Sequence, residues 1–362
     1  MVKLRIENTE FEAPEGSTIL DVAIGAGFKI PTLCHKKDMP HYSSCMVCMV
    51  RDNKTNNFIP SCSALVQEGM DIDIFGVEVI SLRRKALEML FAEHRAECEA
   101  PCRVVCPAGY NIPAMNRLIT EHDLKGATEL CKTEIKSSEI LCTDCPGYCE
   151  NACRRKKVDL SVSIRNLKLF IALQIIKSVP DRIVADDRIE KTDHETSGKL
   201  NRADRPFTSR IGKLESSELQ EWLKECGKAV TRNREISDIN SASCESQSCM
   251  HCDCRAIDNC RLRELAQDHK IKDKAEKLIN SPIVKKINQN TGLIFENAKC
   301  IKCGLCVRLC EDSKEEPGLC FINRGFVSII SEPITEDFNN ILKSKSNEVI
   351  EICPTGALSK FK

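Results

Sequence analysis

The sequence predicts an α+β fold that is divided into several small modules rather than built around one large core. Three observations indicate this division. The N-terminus alternates apolar and charged residues as a strand does. Aromatic residues make up only 4% of the 362 residues, which limits how large a hydrophobic core can be. The 24 cysteines fall into separate short groups, so we expect bound metal to stabilise modules whose own cores are small.

Composition excludes several classes of partner and location. The 53 basic residues equal the 53 acidic residues, so nothing favours nucleic acid or a membrane surface as a partner. The first residues carry no apolar signal segment, and no run of about 18 apolar residues predicts a membrane span. A cysteine-rich chain of this kind is expected in the reducing cytoplasm, with its thiols on metal rather than in disulfides.

Residues 1–76 are predicted to form a β-grasp domain. Alternation from Val2 to Ile6 indicates a strand, a second strand and its turn follow, and a capped helix ends near Gly27. Four cysteines come next, with the spacing Cys-x10-Cys-x2-Cys-x13-Cys; they are Cys34, Cys45, Cys48 and Cys62. Four thiolates, two of them close together on a loop, predict a 2Fe–2S cluster.

This N-terminal region resembles the 2Fe–2S domain of the large iron–sulfur subunit of NADH:quinone oxidoreductase and of the iron-only hydrogenases. The matching stretches are Gly16-Ser-Thr-Ile-Leu-Asp, Ile30-Pro-Thr-Leu-Cys34, Cys45-Met-Val-Cys48, Cys62 and Glu68-Gly-Met70. The sequence departs from the family at Ser44, where glycine is usual, and at Met46, where arginine is common. Neither change removes a predicted ligand.

Residues 77–180 are predicted to form a helical domain with two 4Fe–4S clusters. An amphipathic helix over residues 77–93 leads into two bursts of soft ligands. They are His94, Cys98, Cys102 and Cys106, then Cys142, Cys145, Cys149 and Cys153. Seven thiols and one imidazole are what two cubane clusters need. Structural zinc is the alternative, but Cys-x3-Cys-x3-Cys-Pro does not match the usual paired zinc spacing.

Residues 98–170 resemble the two-cluster domain of the glutamate synthase small subunit and of dihydropyrimidine dehydrogenase. The resemblance implies two interleaved ligand sets. One comprises Cys98, Cys102 and Cys153, completed by His94; the other comprises Cys106, Cys145 and Cys149, completed by Cys142. The family takes a glutamine or glutamate ligand on a later helix, where this chain has Lys168, so Cys142 is the predicted substitute. For His94 the alternative is a histidine at an exposed helix end.

Residues 181–243 are charged and poor in cysteine, which predicts a linker. A cysteine-rich metal site is predicted for residues 244–284, with ligands Cys249, Cys252, Cys254 and Cys260. The Cys-x2-Cys-x-Cys spacing suits either a fourth 4Fe–4S cluster or zinc.

Residues 285–362 are predicted to form a ferredoxin-like domain. The run Cys300-Ile-Lys-Cys303-Gly-Leu-Cys306 and the distant Cys353-Pro resemble the bacterial ferredoxin signature. The resemblance implies that Cys300, Cys303, Cys306 and Cys353 hold one 4Fe–4S cluster. Cys310 and Cys320 are left over, because no second three-cysteine run exists for another cluster in this domain.

The sequence predicts one 2Fe–2S cluster, three or four 4Fe–4S clusters, and no organic cofactor. No glycine-rich βαβ turn, phosphate-binding loop or hydrolase motif is present. We therefore expect an electron-relay subunit of a cytoplasmic oxidoreductase complex. Its partners would be an NAD(P)H-oxidising flavoprotein subunit and a second redox subunit of hydrogenase or formate dehydrogenase type. The alternatives are an enzyme acting at an incompletely ligated cluster and a scaffold with structural clusters.

Overall fold

The computed structural model describes residues 1–40, 42–94, 98–134, 142–178, 234–256, 259–271 and 284–360, together with Leu219, Leu223 and Cys226. The predicted linker over residues 181–243 therefore lies largely outside the described residues. The chain divides into two compact units. One comprises residues 1–95 and 255–362, and the other comprises residues 96–254.

The N-terminal domain contains a five-stranded sheet with one helix packed on it. Its elements are β1 (Val2–Ile6), β2 (Thr9–Ala13), α1 (Ile19–Gly25), β3 (Met49–Asp52), β4 (Asn57–Pro60), β5 (Asp71–Asp73) and α2 (Val77–Glu93). The strand order is β2-β1-β5-β3-β4. Strands β1 and β5 are parallel, and the other neighbouring pairs are antiparallel. This is the predicted β-grasp arrangement.

Alternation and capping explain the local structure of this sheet and helix. Leu4 and Ile6 on β1 are buried, whereas Lys3 and Arg5, which alternate with them, are exposed. A capping box formed by Thr18 and Asp21 starts α1, in which each side chain bonds a backbone N–H of the other residue. Helix α1 then buries Ile19, among others, against the sheet. The cysteines thus lie on loops at the ends of a rigid scaffold.

The middle domain is helical, as predicted. Its elements are α3 (Pro101–Val105), α4 (Ile112–Thr120), α5 (Leu124–Glu134), α6 (Tyr148–Asn151), a 3-10 turn (Arg154–Lys157), α7 (Ile164–Ser178) and α8 (Ile239–Ser246). The side chain of Asn111 caps α4 by accepting from the Ala114 N–H at 3.4 Å. Glu245 of α8 accepts the Ser163 N–H at 2.7 Å, so the segment after the linker packs back into this unit.

The C-terminal domain combines two small sheets with three helices. Its elements are α9 (Arg261–Asp268), β6 (Lys285–Ile287), β7 (Leu293–Glu296), α10 (Leu305–Ser313), β8 (Cys320–Ile322), β9 (Ile329–Ser331), α11 (Ser346–Ile352) and β10 (Leu358–Lys360), with 3-10 turns at Asn297–Lys299, Gly325–Val327 and Phe338–Asn340. The sheets have the orders β10-β7-β6 and β8-β9. Leu293, Val307 and Val349 meet in the core between them.

The metal module predicted for residues 244–284 does not form a unit of its own. Residues up to 254 belong to the helical unit, and residues from 255 belong to the other. Contacts within each unit explain the division. Ser243 on α8 donates to the Thr120 carbonyl at 3.3 Å, whereas the Leu262 N–H on α9 donates to the Pro354 carbonyl at 3.4 Å. No helix among the described residues is long and apolar enough to cross a bilayer.

Candidate iron–sulfur sites

Four thiols at one end of the β-grasp sheet form the N-terminal thiol group: Cys34, Cys45, Cys48 and Cys62. All four residues are buried. The Cys34 thiol hydrogen-bonds with those of Cys45 and Cys62, and Cys48 with Cys62. These bonds lower the pKa of Cys34 and raise the pKa of Cys62, because one thiolate is favoured at the expense of its neighbours. The structure therefore brings all four predicted 2Fe–2S ligands together.

The C-terminal thiol group comprises Cys300, Cys303, Cys306 and Cys353. Burial raises the pKa of Cys306 well above its usual value, and the nearby Cys303, Cys300 and Cys353 raise it further. The Lys302 N–H donates to Cys300 Sγ at 3.4 Å, a bond that fixes the loop between the first two cysteines. The predicted ferredoxin-type ligands thus lie near one another in the unit.

The N-terminal and C-terminal thiol groups are adjacent within the same compact unit. Cys34 is close enough to Cys303 to raise its pKa electrostatically, after burial and the nearer thiols. The Nη2 atom of buried Arg308 donates to the Cys34 carbonyl at 2.6 Å and to the Cys303 carbonyl at 3.5 Å. The Ser44 hydroxyl, at the position where the resembling family has glycine, donates to the same Cys303 carbonyl at 3.4 Å. The two loops are therefore bonded to each other.

A second part of this contact involves an aromatic ring. Tyr42 lies under the guanidinium of Arg308, whose carbon is 4.6 Å from the ring centroid. The Tyr42 hydroxyl donates to Glu311 on α10 at 3.3 Å. A Cβ atom at Gly304 would lie 2.9 Å from the Tyr42 ring, and Gly304 has a φ of +76°, so only glycine fits there without strain.

One cavity in the helical unit is lined by four cysteines together with Lys168. We call these four cysteines the Lys168 group; they are Cys106, Cys142, Cys145 and Cys149. Burial raises the pKa of Cys149 to about 12, although the nearby ammonium of Lys168 opposes this. Lys168 itself is 3% exposed. Its Nζ atom lies 3.4 Å from Cys106 Sγ and 5.0 Å from the Tyr110 ring centroid.

The protonation state of Lys168 follows from its neighbours. Burial alone would lower its pKa, but Cys106, Cys149 and Cys142 outweigh burial and raise it. The Lys168 ammonium donates to the Cys106 thiol in this cavity. Cys142 occupies the predicted fourth position in the cavity. Sequence analysis placed Lys168 at the resembling family's fourth-ligand position but missed its contact with Cys106, because a single lysine on a helix carries no pattern.

A second cavity in the helical unit is lined by the mixed group, which we define as Cys102, Cys153, Cys249 and Cys252. This grouping differs from the two sets expected from the sequence. Cys102 and Cys153 were expected with His94 and Cys98, and Cys249 and Cys252 with Cys254 and Cys260. The difference arises because α8 packs on α4 and carries the downstream cysteines to the helical domain.

The other four predicted ligands lie outside these groups. His94 is 3% exposed and ends α2, with its ring centroid 6.5 Å from that of Phe91, so it is not the exposed helix-end histidine of the alternative interpretation. The Cys98 carbonyl accepts the Cys254 N–H at 3.0 Å. Cys260 precedes α9, with Sγ 3.9 Å from the Pro354 carbonyl. Their metal ligation stays a prediction.

Further cysteines pack in the domain cores. Cys131 on α5 is 1% exposed and lies near Cys142; sequence analysis missed it, since one cysteine on a helix gives no spacing signal. Cys310 lies on α10 in the C-terminal core, where burial raises its pKa. Cys320 pairs with Ser331 in the β8–β9 hairpin.

Each thiol group offers the four thiols that an iron–sulfur cluster takes as ligands. Among the described residues, no three His, Cys, Asp or Glu side chains converge as the ligands of one metal ion would. The Lys168 group and the mixed group each line a cavity with four thiols. None of the 24 cysteines, all of which lie among the described residues, is paired in a disulfide.

The fold and these groups define an iron–sulfur protein of the electron-transport type, with one 2Fe–2S domain and 4Fe–4S domains. Three family models match it. A 2Fe–2S iron–sulfur cluster binding domain matches residues 1–74, dihydropyrimidine dehydrogenase domain II with its 4Fe–4S cluster matches residues 79–179, and the ferredoxin-like domain of NADH-quinone oxidoreductase subunit 3 matches residues 293–359. These matches confirm the predicted domain types.

Curated relatives are components of oxidoreductases. The gamma chain of the NAD-reducing hydrogenase HoxS of Cupriavidus necator is 34% identical over 97 residues, which are 27% of this chain and 41% of that protein. The G 2 chain of the NADH-quinone oxidoreductase of Rhizobium meliloti is 32% identical over 98 residues, 27% of this chain and 12% of that protein. The chain spans less than half the length of these relatives.

Two further similarities extend over more of the chain. The alpha subunit of the NADPH-Fe(3+) oxidoreductase of Geobacter sulfurreducens is 25% identical over 198 residues, 55% of this chain and 19% of that protein. A crystal structure of an NAD+-reducing [NiFe]-hydrogenase in the H2-reduced state superposes with a TM-score of 0.49 at 16% identity, and the match covers 99% of this chain and 87% of that one.

Proposed function

We propose that the chain is an electron-relay subunit of a multisubunit cytoplasmic oxidoreductase. It passes single electrons between a partner flavoprotein that handles NAD(P)H and a second redox enzyme of hydrogenase or formate dehydrogenase type. Iron–sulfur clusters supply one-electron chemistry when bound, and their potentials depend on ligands, burial and hydrogen bonds. The chain's own residues would position these groups, exclude water and set the local charge.

The observation that carries this proposal is the bonded contact between the N-terminal and C-terminal thiol groups. Arg308 bridges the carbonyl groups of Cys34 and Cys303, one residue from each group. Electron exchange falls steeply with separation, so two sites held this close favour transfer between them. A scaffold with structural clusters has no need for such a contact, because each site would stabilise its own domain.

For three of the four thiol groups, the proposed ligands are the residues that the sequence predicted. The N-terminal group would hold a 2Fe–2S cluster, and the C-terminal and Lys168 groups would each hold a 4Fe–4S cluster. Each group offers four thiols, which leaves no open iron position in it. This favours relay over the alternative of an enzyme acting at an incompletely ligated cluster.

The test uses the full chain purified without oxygen. We expect about 14 irons per chain, or about 18 with a fourth cubane, and a matching amount of acid-labile sulfide. Dithionite should reduce the clusters reversibly, whereas NADH or NADPH alone should not, because hydride is a two-electron carrier and the sequence shows no flavin site. Bleaching by NADH alone, bound flavin, or mostly zinc in the metal analysis would overturn the proposal.

A further inference from the structure

We infer that Cys102, Cys153, Cys249 and Cys252 hold one 4Fe–4S cluster. The helical domain would then complete its second cluster site with two thiols from a segment beyond the linker. The inference rests on the proposed function, in that it requires a cluster-binding chain. The family model that matches the helical domain ends at residue 179, so it includes neither Cys249 nor Cys252.

The first support is the cavity itself. All four thiols line it, together with Ala100, Pro113 and Val162, which give it apolar walls. The charges of Cys153, Cys249 and Cys252 also act on the Cys102 thiol, so these four cysteines lie near one another. Soft thiolates in an apolar, protein-enclosed space are the ordinary setting of a cubane.

The second support is the shape of the loop from Cys249 to Cys252. His251, immediately before the second cysteine, has a φ of +44°, and its N–H bonds the Cys249 thiol. Lys302 in the ferredoxin-type loop has a φ of +56° and makes the same bond to Cys300. Left-handed backbone is uncommon for residues with side chains. Its recurrence at the same loop position indicates that both loops are shaped for the same kind of ligand.

The third support is that the helical domain holds this loop at both ends. Before the loop, the Ser248 carbonyl accepts from Arg155 at 3.3 Å; Arg155 is 1% exposed and also binds Asp159 at 2.7 and 2.8 Å. After the loop, Asp253 accepts two bonds from Arg117 on α4, at 3.0 and 2.6 Å. A buried carboxylate is stable only when paired in this way.

The fourth support is the charge around the cavity. Four thiolates and a cluster carry net negative charge, which a buried site must offset. Arg154, 4% exposed, acts on Cys252 with its positive charge. The buried side chain of Asn116 on α4 interacts with the Cys249 thiol. The helical domain therefore places the positive charge of Arg154 on the side where the downstream thiols enter.

The test compares single and double variants of the full chain, purified without oxygen. Cys102→Ala and Cys249→Ala should each lose about four irons and the same electron paramagnetic resonance signal. The double variant should lose the same four irons and no more. Cys244→Ala removes an exposed thiol from the same segment and serves as the matched control. The 2Fe–2S signal reports that the rest of the chain is folded.

Several other outcomes of these experiments would contradict the inference. If the double variant loses about eight irons, the two cysteines serve different clusters and the inference fails, while the relay proposal stands. It also fails if His94→Ala removes the same signal as Cys102→Ala, as the ligand set implied by sequence resemblance requires. Where an alanine variant does not fold, Cys102→Ser and Cys249→Ser should both alter this one signal. Wild-type protein without iron would overturn both proposals.

Discussion

The guanidinium of Arg308 donates a hydrogen bond of 2.6 Å to the carbonyl oxygen of Cys34. Arg308 lies on α10 in the C-terminal domain, and Cys34 lies on a loop of the β-grasp domain. The same nitrogen atom also reaches the carbonyl of Cys303. One cation therefore acts on the backbone of two predicted cluster sites, so a change at this position should affect both.

Arg308→Met should lower the midpoint potentials of the N-terminal and C-terminal clusters together. A nearby cation stabilises the more negative, reduced state, and a loss of about 1.4 kcal/mol corresponds to about 59 mV for one electron. Redox titration followed by electron paramagnetic resonance measures both signals. Arg308→Lys should shift them less, since it keeps the charge. Arg324→Met, at an exposed position, is the control. A shift confined to one signal would contradict a shared role.

Lys168→Met should lower the midpoint potential of the cluster held by the Lys168 group by roughly 59 mV. The reason is loss of a buried charge that lies 3.4 Å from Cys106 Sγ. Lys168→Gln keeps a donor without the charge and should give an intermediate potential. The signals of the N-terminal and C-terminal clusters should not move in either variant, which makes them internal controls. An unchanged potential in Lys168→Met would show that this ammonium does not act on the cluster.

Cys353→Ala should lose about four irons, because it removes one of the four proposed C-terminal ligands. Cys310→Ala should keep the full iron content. It should cost about 1 kcal/mol of stability, since a small buried side chain in the C-terminal core is truncated. Iron analysis and thermal unfolding distinguish the two effects. Retention of the cluster in Cys353→Ala, with loss in Cys310→Ala, would mean that the compact run of four cysteines binds it.

Asp52→Asn should destabilise the β-grasp domain by about 1–2 kcal/mol at pH 7. Burial alone would raise the pKa of Asp52, but bonds from Thr55 and from the N–H groups of Asp71 and Lys54 outweigh burial and lower it. A lowered pKa in the folded state stabilises the protein above about pH 4, and this contribution is lost as the pH falls. The difference in melting temperature between wild type and variant should thus be constant from pH 8 to pH 5 and shrink below that. Asp38→Asn, at an exposed position, should show no such dependence.

Short spacings made much of the site predictable from the sequence. Cys45 and Cys48, or Cys300 and Cys303, share a loop, so their proximity is set locally. The β-grasp sheet followed from period-two alternation, and the helical domain from helical spacing and family resemblance. Cys142 could be expected beside Cys106 because the resembling family's fourth ligand position carries a lysine here.

Long-range packing made the rest unpredictable. No periodicity links Cys102 to Cys249; their proximity depends on α8 bonding to Ser163 and Thr120 through side chains that carry no motif. Arg308 and the electrostatic role of Lys168 were missed for a related reason. Each acts through burial and through the groups around it, and neither property can be determined from a single residue in the sequence.

A cluster held by the mixed group would also cross-link parts of the chain that are far apart in the sequence. Cys153 and Cys249 flank the predicted linker, so a cluster bound by both closes a loop of roughly 100 residues. A covalent cross-link of that span lowers the entropy of the denatured chain and so stabilises the folded state by about 4.7 kcal/mol. Doubling the loop would change this by only about 0.6 kcal/mol. If residues 181–243 form the predicted linker, its length could vary at little thermodynamic cost, whereas removal of iron would remove the cross-link between Cys153 and Cys249.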